Sequence, residues 1–138
     1  VLISGDMVLP RISTNISVYA SEPQSNPLQL FLDSLERMRA LPDTVLILPS
    51  HGKPFKGLYE RINQLTQHHA ERLAELLQAC FEHPMNAAQA LPVLFKRELD
   101  LHQTTFAMGE AVAHLHTLWY QGKLRRFKQD GVWMWQAL

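Results

Sequence analysis

The chain has 138 residues, of which 46% are apolar, and its 13 basic residues are balanced by 13 acidic ones. This length allows one domain or two small ones, and a net charge of zero excludes bulk attraction to nucleic acid, membrane surfaces or acidic substrates. No apolar run approaches the roughly 20 residues of a membrane-spanning helix. One cysteine and no signal-peptide pattern favour a reducing compartment, so we expect a cytoplasmic protein.

The first part of the chain has an α/β pattern. Residues 1–3 form an apolar run that predicts a buried strand, and Asp6 follows in the turn at its end. Residues 7–25 are poorly patterned and are predicted to form a long loop. A helix is predicted from Pro27 to about residue 41, and residues 45–48 are predicted to form a second buried strand. The order strand, loop, helix, strand is typical of α/β proteins.

Helices dominate the second part of the chain. Apolar periodicity and turn residues predict a long helix at 58–82, helices at about 87–96 and 104–121, and a β-hairpin at 123–137. The hairpin turns at Asp130-Gly131, a dipeptide strongly favoured in tight hairpin turns. Three helices followed by a hairpin are typical of a winged helix. We therefore predict an α/β domain at residues 1–56 and a mainly α, winged-helix-like domain at 57–138.

Two residues are candidate metal ligands. Asp6 ends the first predicted strand, and His51 lies in a glycine-flanked turn directly after the second. A carboxylate and an imidazole are common ligands of divalent metals. Parallel neighbouring strands would bring both side chains to one edge of the sheet. Each residue type is also common in ordinary turns, so the pairing of the two carries the metal hypothesis.

The other histidines and the cysteine are predicted to be structural. His114 and His116 are two positions apart on a predicted helix, where their side chains point to nearly opposite sides and cannot bind one ion. His69 lies on the apolar stripe of the long helix, which favours a half-buried packing role. Cys80 lies on the same stripe without an activating neighbour and is expected to be inert.

The hairpin carries a local cluster of positive charge. Its basic residues are Lys123, Arg125, Arg126 and Lys128. With Phe127, Trp133 and Trp135 nearby, this pattern is compatible with nucleic-acid binding. It is more often the pattern of a solvated hairpin, and the predicted helix at 104–121, which would read bases, has no lysine or arginine. No other catalytic motif is present.

Several motifs together resemble a known family. They are Ser4-Gly5-Asp6, Asn15-Ile16-Ser17, Asn26-Pro27-Leu28, Leu35-Glu36-Arg37-Met38, Leu48-Pro49-Ser50-His51-Gly52 and, in the second part, Gly109-Glu110-Ala111-Val112-Ala113-His114-Leu115. The chain resembles the carboxyl-terminal part of a metallo-β-lactamase-superfamily hydrolase. The similarity is closest to the β-lactamase-like protein 2 branch, which looks like hydroxyacylglutathione hydrolase (glyoxalase II) with an added winged helix. The resemblance implies that the first domain is part of an αββα sandwich.

The resemblance also implies a metal site and a reaction. Asp6 would bridge two metal ions, zinc or alternatively manganese or iron, and His51 would complete the shell of one. A metal-bound hydroxide would then attack an ester, thioester, amide or phosphodiester of a small substrate. The family's His-x-His-x-Asp-His cluster does not occur in this chain. We therefore expect the chain on its own to be inactive and to bind little or no metal.

The chain begins at Val1, inside a strand pattern, and we expect it to be a piece of a longer protein. Apolar positions such as Val1, Ile3, Leu46 and Leu48 should then be partly exposed, which favours self-association through strand edges. Two other functions stay open: a nucleic-acid-binding winged-helix module, and a metal-dependent nuclease whose hairpin holds the substrate. A winged helix that serves as a dimerisation element or lid is a further alternative.

Overall fold

A computed structural model describes residues 1–138, which form four helices and four strands. In chain order these are β1 (Leu2–Gly5), α1 (Pro27–Met38), β2 (Ile47–Pro49), α2 (Leu58–Glu82), α3 (Ala87–Leu94), α4 (Leu101–Tyr120), β3 (Leu124–Gln129) and β4 (Val132–Ala137). The mixture of helices and strands confirms the α/β class. None of the helices is both long and apolar enough to cross a membrane.

The chain forms two compact units, each built from two segments. Unit 1 comprises Val1–Asn15 and Leu30–His69, and unit 2 comprises Ile16–Gln29 and Ala70–Leu138. The predicted domains at 1–56 and 57–138 stay a prediction.

Unit 1 contains a small parallel sheet. β1 pairs with β2 in the register Leu2 with Ile47 and Ile3 with Leu48, and Ile47 is fully buried. The predicted parallel neighbourhood of the two strands is therefore confirmed. Only one edge of β1 is paired, and Val1 and Ile3 are 81% and 80% exposed. The expected exposure of these apolar side chains is confirmed, while self-association through this edge stays a prediction.

Helix α1 begins where its sequence indicates and ends slightly earlier. Pro27 is the first helical residue, a position that needs no amide hydrogen. The apolar face buries Leu28, Phe31 and Leu35. The helix ends at Met38 rather than at residue 41. The amides of residues 39–41 bond the carbonyls three residues earlier, as in a 3₁₀ turn, instead of those four residues earlier.

The helices of unit 2 follow local capping signals. In α3, Asn86 and Gln89 form a reciprocal capping box. The predicted start of α4 at residue 104 is wrong, since the helix begins at Leu101. Asp100 accepts a hydrogen bond from the Gln103 amide at 2.8 Å, and the Gln103 side chain accepts one from the Asp100 amide at 3.1 Å. Asp100 and Gln103 therefore form the capping box of α4.

The hairpin closes unit 2. β3 and β4 pair antiparallel around Asp130 and Gly131, whose φ angles of 52° and 76° are both positive, as a two-residue hairpin turn requires. The strands bury Leu124 and Trp135, and the backbone of Trp135 exchanges two hydrogen bonds with Met85, each 2.9 Å long. The predicted hairpin is confirmed.

Candidate functional site

The structure brings Asp6 and His51 together at one edge of the parallel sheet. Asp6 directly follows β1, and His51 lies two residues after β2. The His51 Nε2 and Asp6 Oδ1 atoms are 3.6 Å apart, with side chains 68% and 63% exposed. The Ser50 amide donates to the Gly5 carbonyl at 3.0 Å and ties the two strand ends together. The side-chain hydroxyl of Ser50 donates to the same Oδ1 of Asp6.

The pair fits part of a metal shell. Nitrogen and oxygen ligands at about 2.0–2.2 Å from a tetrahedral zinc ion lie roughly 3.3–3.5 Å apart. The observed separation of 3.6 Å is close to this value, and both side chains are open to an approaching ion. No group of three or more histidine, cysteine, aspartate or glutamate side chains in the chain could hold a metal ion. Asp6 and His51 can thus supply two ligands of a site that would need more.

A cleft of about 600 Å³ lies beside His51, and its lining is mostly apolar. Pro10 and Ile12 contribute from the loop after β1, and Phe55 contributes from the segment after β2. Two exposed cations, Arg11 and Lys53, also line it. The cleft can therefore take an apolar group, with positive charge available for an anionic one.

The loop that forms one wall of this cleft is held by Arg61 of α2. Its Nε donates to the Leu9 carbonyl at 2.5 Å, and a terminal nitrogen donates to the Ile12 carbonyl at 3.0 Å. Burial lowers the pKa of Arg61 from its usual value. Sequence reasoning missed this anchor, because Arg61 occupies an ordinary polar position of an amphipathic helix. Nothing local in the sequence marks a residue that bonds to carbonyls some 50 positions away.

The turn at Gly52 completes the wall of the cleft beside His51. Gly52 has a φ of +84°, and a Cβ atom placed on it would lie only 2.6 Å from Cγ of Pro10. The position beside His51 thus needs glycine for both its backbone conformation and its close approach to the loop. The sequence predicts the turn at Gly52 but not that Pro10 packs against it.

Three of the histidines predicted to be structural are buried, namely His69, His114 and His116. His69 is 3% exposed, with its Nε2 3.1 Å from the Ser13 hydroxyl. His114 and His116 are 4% and 1% exposed and use their Nδ1 atoms to bond different backbone carbonyls. The expectation that these two do not share an ion stays a prediction, and His69 is more deeply buried than predicted. Cys80 is 1% exposed, and burial raises the pKa of its thiol to about 11.

The four hairpin cations do not form one patch. Alternation along β3 places Arg125 and Arg126 on opposite faces of the hairpin. Arg125 donates to the side chain of Gln136, and its guanidinium lies 4.6 Å from the ring centre of Phe127. Lys123 is exposed at the start of the hairpin. The contacts of Arg125 are thus made within the hairpin itself.

Arg126 and Lys128 share the other face. The Arg126 guanidinium lies 4.0 Å from the ring centres of both Trp119 and Trp133, and the Lys128 ammonium lies 5.0 Å from that of Trp133. Of the three aromatic residues noted in the sequence, Phe127 and Trp133 stack with cations, whereas Trp135 packs against His116. A cation held between two indoles is stabilised by the ring quadrupoles.

Comparisons with known proteins agree with this architecture. Residues 73–138 match the family model described as the C-terminal domain of metallo-beta-lactamase-like proteins. The chain is similar to a beta-lactamase domain protein from Burkholderia ambifaria, with 55% identity and a TM-score of 0.95 over 99% of this chain and 41% of that one. It is also similar to a metallo-beta-lactamase family protein from Thermus thermophilus, with 29% identity and a TM-score of 0.82 over 99% and 41% of the two chains.

The chain therefore spans 41% of the length of each of these two structures. No curated protein matches it.

Proposed function

We propose that the chain forms the carboxyl-terminal part of a metal-dependent hydrolase of the metallo-β-lactamase superfamily, since residues 73–138 match the model of the C-terminal domain of metallo-beta-lactamase-like proteins. The observation that carries this proposal is the 3.6 Å approach of Asp6 to His51 at the ends of paired parallel strands. Two ligand types that meet at a strand edge are arranged as α/β enzymes arrange their sites. The structural similarity over 99% of the chain, at 55% identity, supports the same proposal for residues before 73.

The metal ions we propose are a zinc pair, with manganese or iron as alternatives. When bound, such ions lower the pKa of a water molecule and polarise the scissile bond of an ester, thioester, amide or phosphodiester. Asp6 would bridge the pair, and His51 would hold one ion. Since this chain supplies two ligands, we propose that the others come from outside it. The chain alone would then be inactive.

Ser50 has a positioning role in this proposal. Its hydroxyl donates to Oδ1 of Asp6, which orients the carboxylate and leaves Oδ2 without that hydrogen bond. Partners that orient a ligand in this way typically contribute about 10–100-fold to metal affinity or activity. Arg61 and Gly52 act one step further away, because they hold the loop and the turn that form the cleft beside His51.

Calorimetric titration of the chain with zinc tests the ligand pair. We expect weak binding that is lost in Asp6→Ala and in His51→Ala. His83→Ala is the matched control, since His83 is an exposed histidine outside the site, and it should bind as the parent does. Equal zinc binding by all four proteins would refute the assignment.

The hydrolase itself is tested in the longer protein. Asp6→Ala and His51→Ala should abolish hydrolysis, while Ser50→Ala should reduce it by about 10–100-fold. Full activity of Asp6→Ala would contradict the proposal, provided that the variant melts at the temperature of the parent.

Nucleic-acid binding is the second candidate, and one observation favours it. Trp133 is 39% exposed and is flanked by Arg126 and Lys128, which resembles a stacking platform for single-stranded nucleic acid. In this reading residues 57–138 act as a winged helix, and a nuclease would use the hairpin to hold its substrate. Binding of a labelled oligonucleotide should then weaken steeply with salt and with loss of Arg126. No binding at low salt would exclude it.

A further inference from the structure

A second cavity lies within unit 2, and the proposed hydrolase chemistry does not use it. It has a volume of about 430 Å³ and is lined by residues of the 18–24 segment, α3, α4 and the hairpin. We call it the indole cavity, defined by His116, Arg126, Trp133 and Trp135. Most of its other lining residues are apolar, among them Val18, Met108 and Val112. Its size and lining are those of a small-molecule site.

The indole cavity contains one positive charge held in a fixed position. Arg126 is stacked between Trp119 and Trp133 at 4.0 Å from each ring centre, and one terminal nitrogen donates to the Gln24 side chain at 3.1 Å. Arg126 takes part in none of the ion pairs of the chain. The indole rings take up none of the five N–H groups of the guanidinium as hydrogen-bonding carboxylates would, and one N–H donates to Gln24, so the edge of the guanidinium keeps N–H groups for a ligand. That edge is the geometry that binds a carboxylate or phosphate with two parallel hydrogen bonds.

One buried polar side chain, His116, lies beside this charge in the cavity lining. The Nδ1 of His116 bonds the Ser25 carbonyl at 2.8 Å, and because a carbonyl only accepts, Nδ1 must carry the hydrogen. In the neutral ring, Nε2 is then a hydrogen-bond acceptor. Burial lowers the pKa of His116; the Ser25 bond opposes this shift and the Arg126 charge adds to it. His116 is therefore held in its neutral form.

Trp135 also lines this cavity. It is 3% exposed, its ring centre lies 6.0 Å from that of His116, and its indole N–H is buried away from the cavity surface. Trp135 therefore offers a ligand its aromatic ring and not its N–H. The acceptor on His116 matches a hydroxyl or an amide N–H, each of which can donate to it.

We propose that the indole cavity binds a small organic anion, in which a carboxylate or phosphate is joined to an apolar, ring-sized body that bears one hydroxyl or amide. The anion pairs with the edge of Arg126. The hydroxyl or amide N–H donates to His116 Nε2, and the apolar body lies against Val18, Met108 and Val112. This site is separate from Asp6 and His51 and does not depend on the metal chemistry.

Tryptophan fluorescence offers a direct binding assay. The chain has three tryptophans, and all of them either line the indole cavity or stack on Arg126. The probes are N-acetyl-L-phenylalanine for the carboxylate and adenosine 5′-monophosphate for the phosphate. Their neutral counterparts are N-acetyl-L-phenylalaninamide and adenosine. We expect at least one anionic probe to bind at least tenfold more tightly than its counterpart, and the probe that does so identifies the anion.

Two variants test the location of binding. Arg126→Gln should weaken the anionic probe at least tenfold. Arg125→Gln is the matched control, because it removes the same charge from the neighbouring residue on the opposite face, and it should bind as the parent does. Ala88→Phe, at an exposed position of α3 that lines the cavity, should block binding without touching Arg126 or its stacking partners. A melting temperature equal to that of the parent confirms that this variant is folded.

Several results would overturn the proposal. One is that none of the four probes binds, and another is that each neutral probe binds as tightly as its anion. Equal losses in Arg125→Gln and Arg126→Gln would show general charge attraction rather than a site. An oligothymidine that binds more tightly than either anionic probe, with a steep dependence on salt, would assign this surface to nucleic acid instead.

Discussion

Replacing Gly52 by alanine tests how the turn beside His51 is built. Gly52 has a φ of +84°, and a side chain in the left-handed region costs about 1–2 kcal/mol. The new Cβ would also lie 2.6 Å from Cγ and 3.2 Å from Cδ of Pro10, whose ring cannot rotate away. Overpacking of this kind typically costs about 1–3 kcal/mol. Gly52→Ala should therefore lower the free energy of unfolding by about 2–5 kcal/mol, measured by urea denaturation.

Gly57→Ala is the matched control. Gly57 has a φ of +94°, but no heavy atom lies within 4 Å of the position its Cβ would take. It should therefore lose only the conformational term of about 1–2 kcal/mol. Adding Pro10→Ala to Gly52→Ala should remove most of the extra stability loss that Gly52→Ala shows over Gly57→Ala. If Gly52→Ala were no more destabilising than Gly57→Ala, the close packing of the loop against the turn would be refuted.

Three further predictions concern unit 2. A Cβ on Gly109 would lie 2.5 Å from the Ser17 hydroxyl oxygen and 2.6 Å from Ser17 Cβ. Gly109→Ala should therefore lower the free energy of unfolding in urea by about 1–3 kcal/mol, although alanine is the better helix former, and adding Ser17→Gly should restore it. A Gly109→Ala variant more stable than the parent would contradict this close packing. Burial raises the pKa of Glu110, despite a hydrogen bond from the Ile16 amide. The folded chain thus holds this proton more tightly, so Glu110 contributes stability below about pH 4.5 that is lost as pH rises through the raised value. Glu110→Gln should flatten that pH dependence of the urea midpoint, and an unchanged profile would disprove this origin. Cys80, whose pKa burial raises to about 11, should react with a thiol reagent only after unfolding; rapid reaction in the native chain would refute its burial.

Elements with a strong local signal could be predicted from the sequence. Helix α2 has the predicted bounds, Leu58–Glu82, because its apolar stripe repeats without interruption over 25 residues. Asp130 and Gly131 form the predicted hairpin turn, since few other dipeptides adopt positive φ angles at both residues. The start of α4 was mispredicted although its signal is local too. Asp100 and Gln103 are a capping box, but lie in a polar stretch that also has the composition of a loop.

The pairing of the two candidate metal ligands could also be predicted from the sequence. Asp6 and His51 each follow an apolar run, and parallel pairing of those runs was enough to predict that they meet. Their separation of 3.6 Å required the actual register of the strands. The same sequence showed four cations on the hairpin, but not that alternation along β3 divides Arg125 from Arg126.

The sequence by itself thus determined the helices, the turns and the pair of candidate ligands, because periodicity, capping and turn preferences act between neighbours along the chain. Only the tertiary structure decided which side chains meet across long separations. Arg61 bonds the carbonyl of Leu9, 52 positions away, and holds the loop that forms the cleft beside His51. Trp119 and Trp133 come from different elements and close on Arg126. Such contacts depend on how whole elements pack, and no local pattern encodes them.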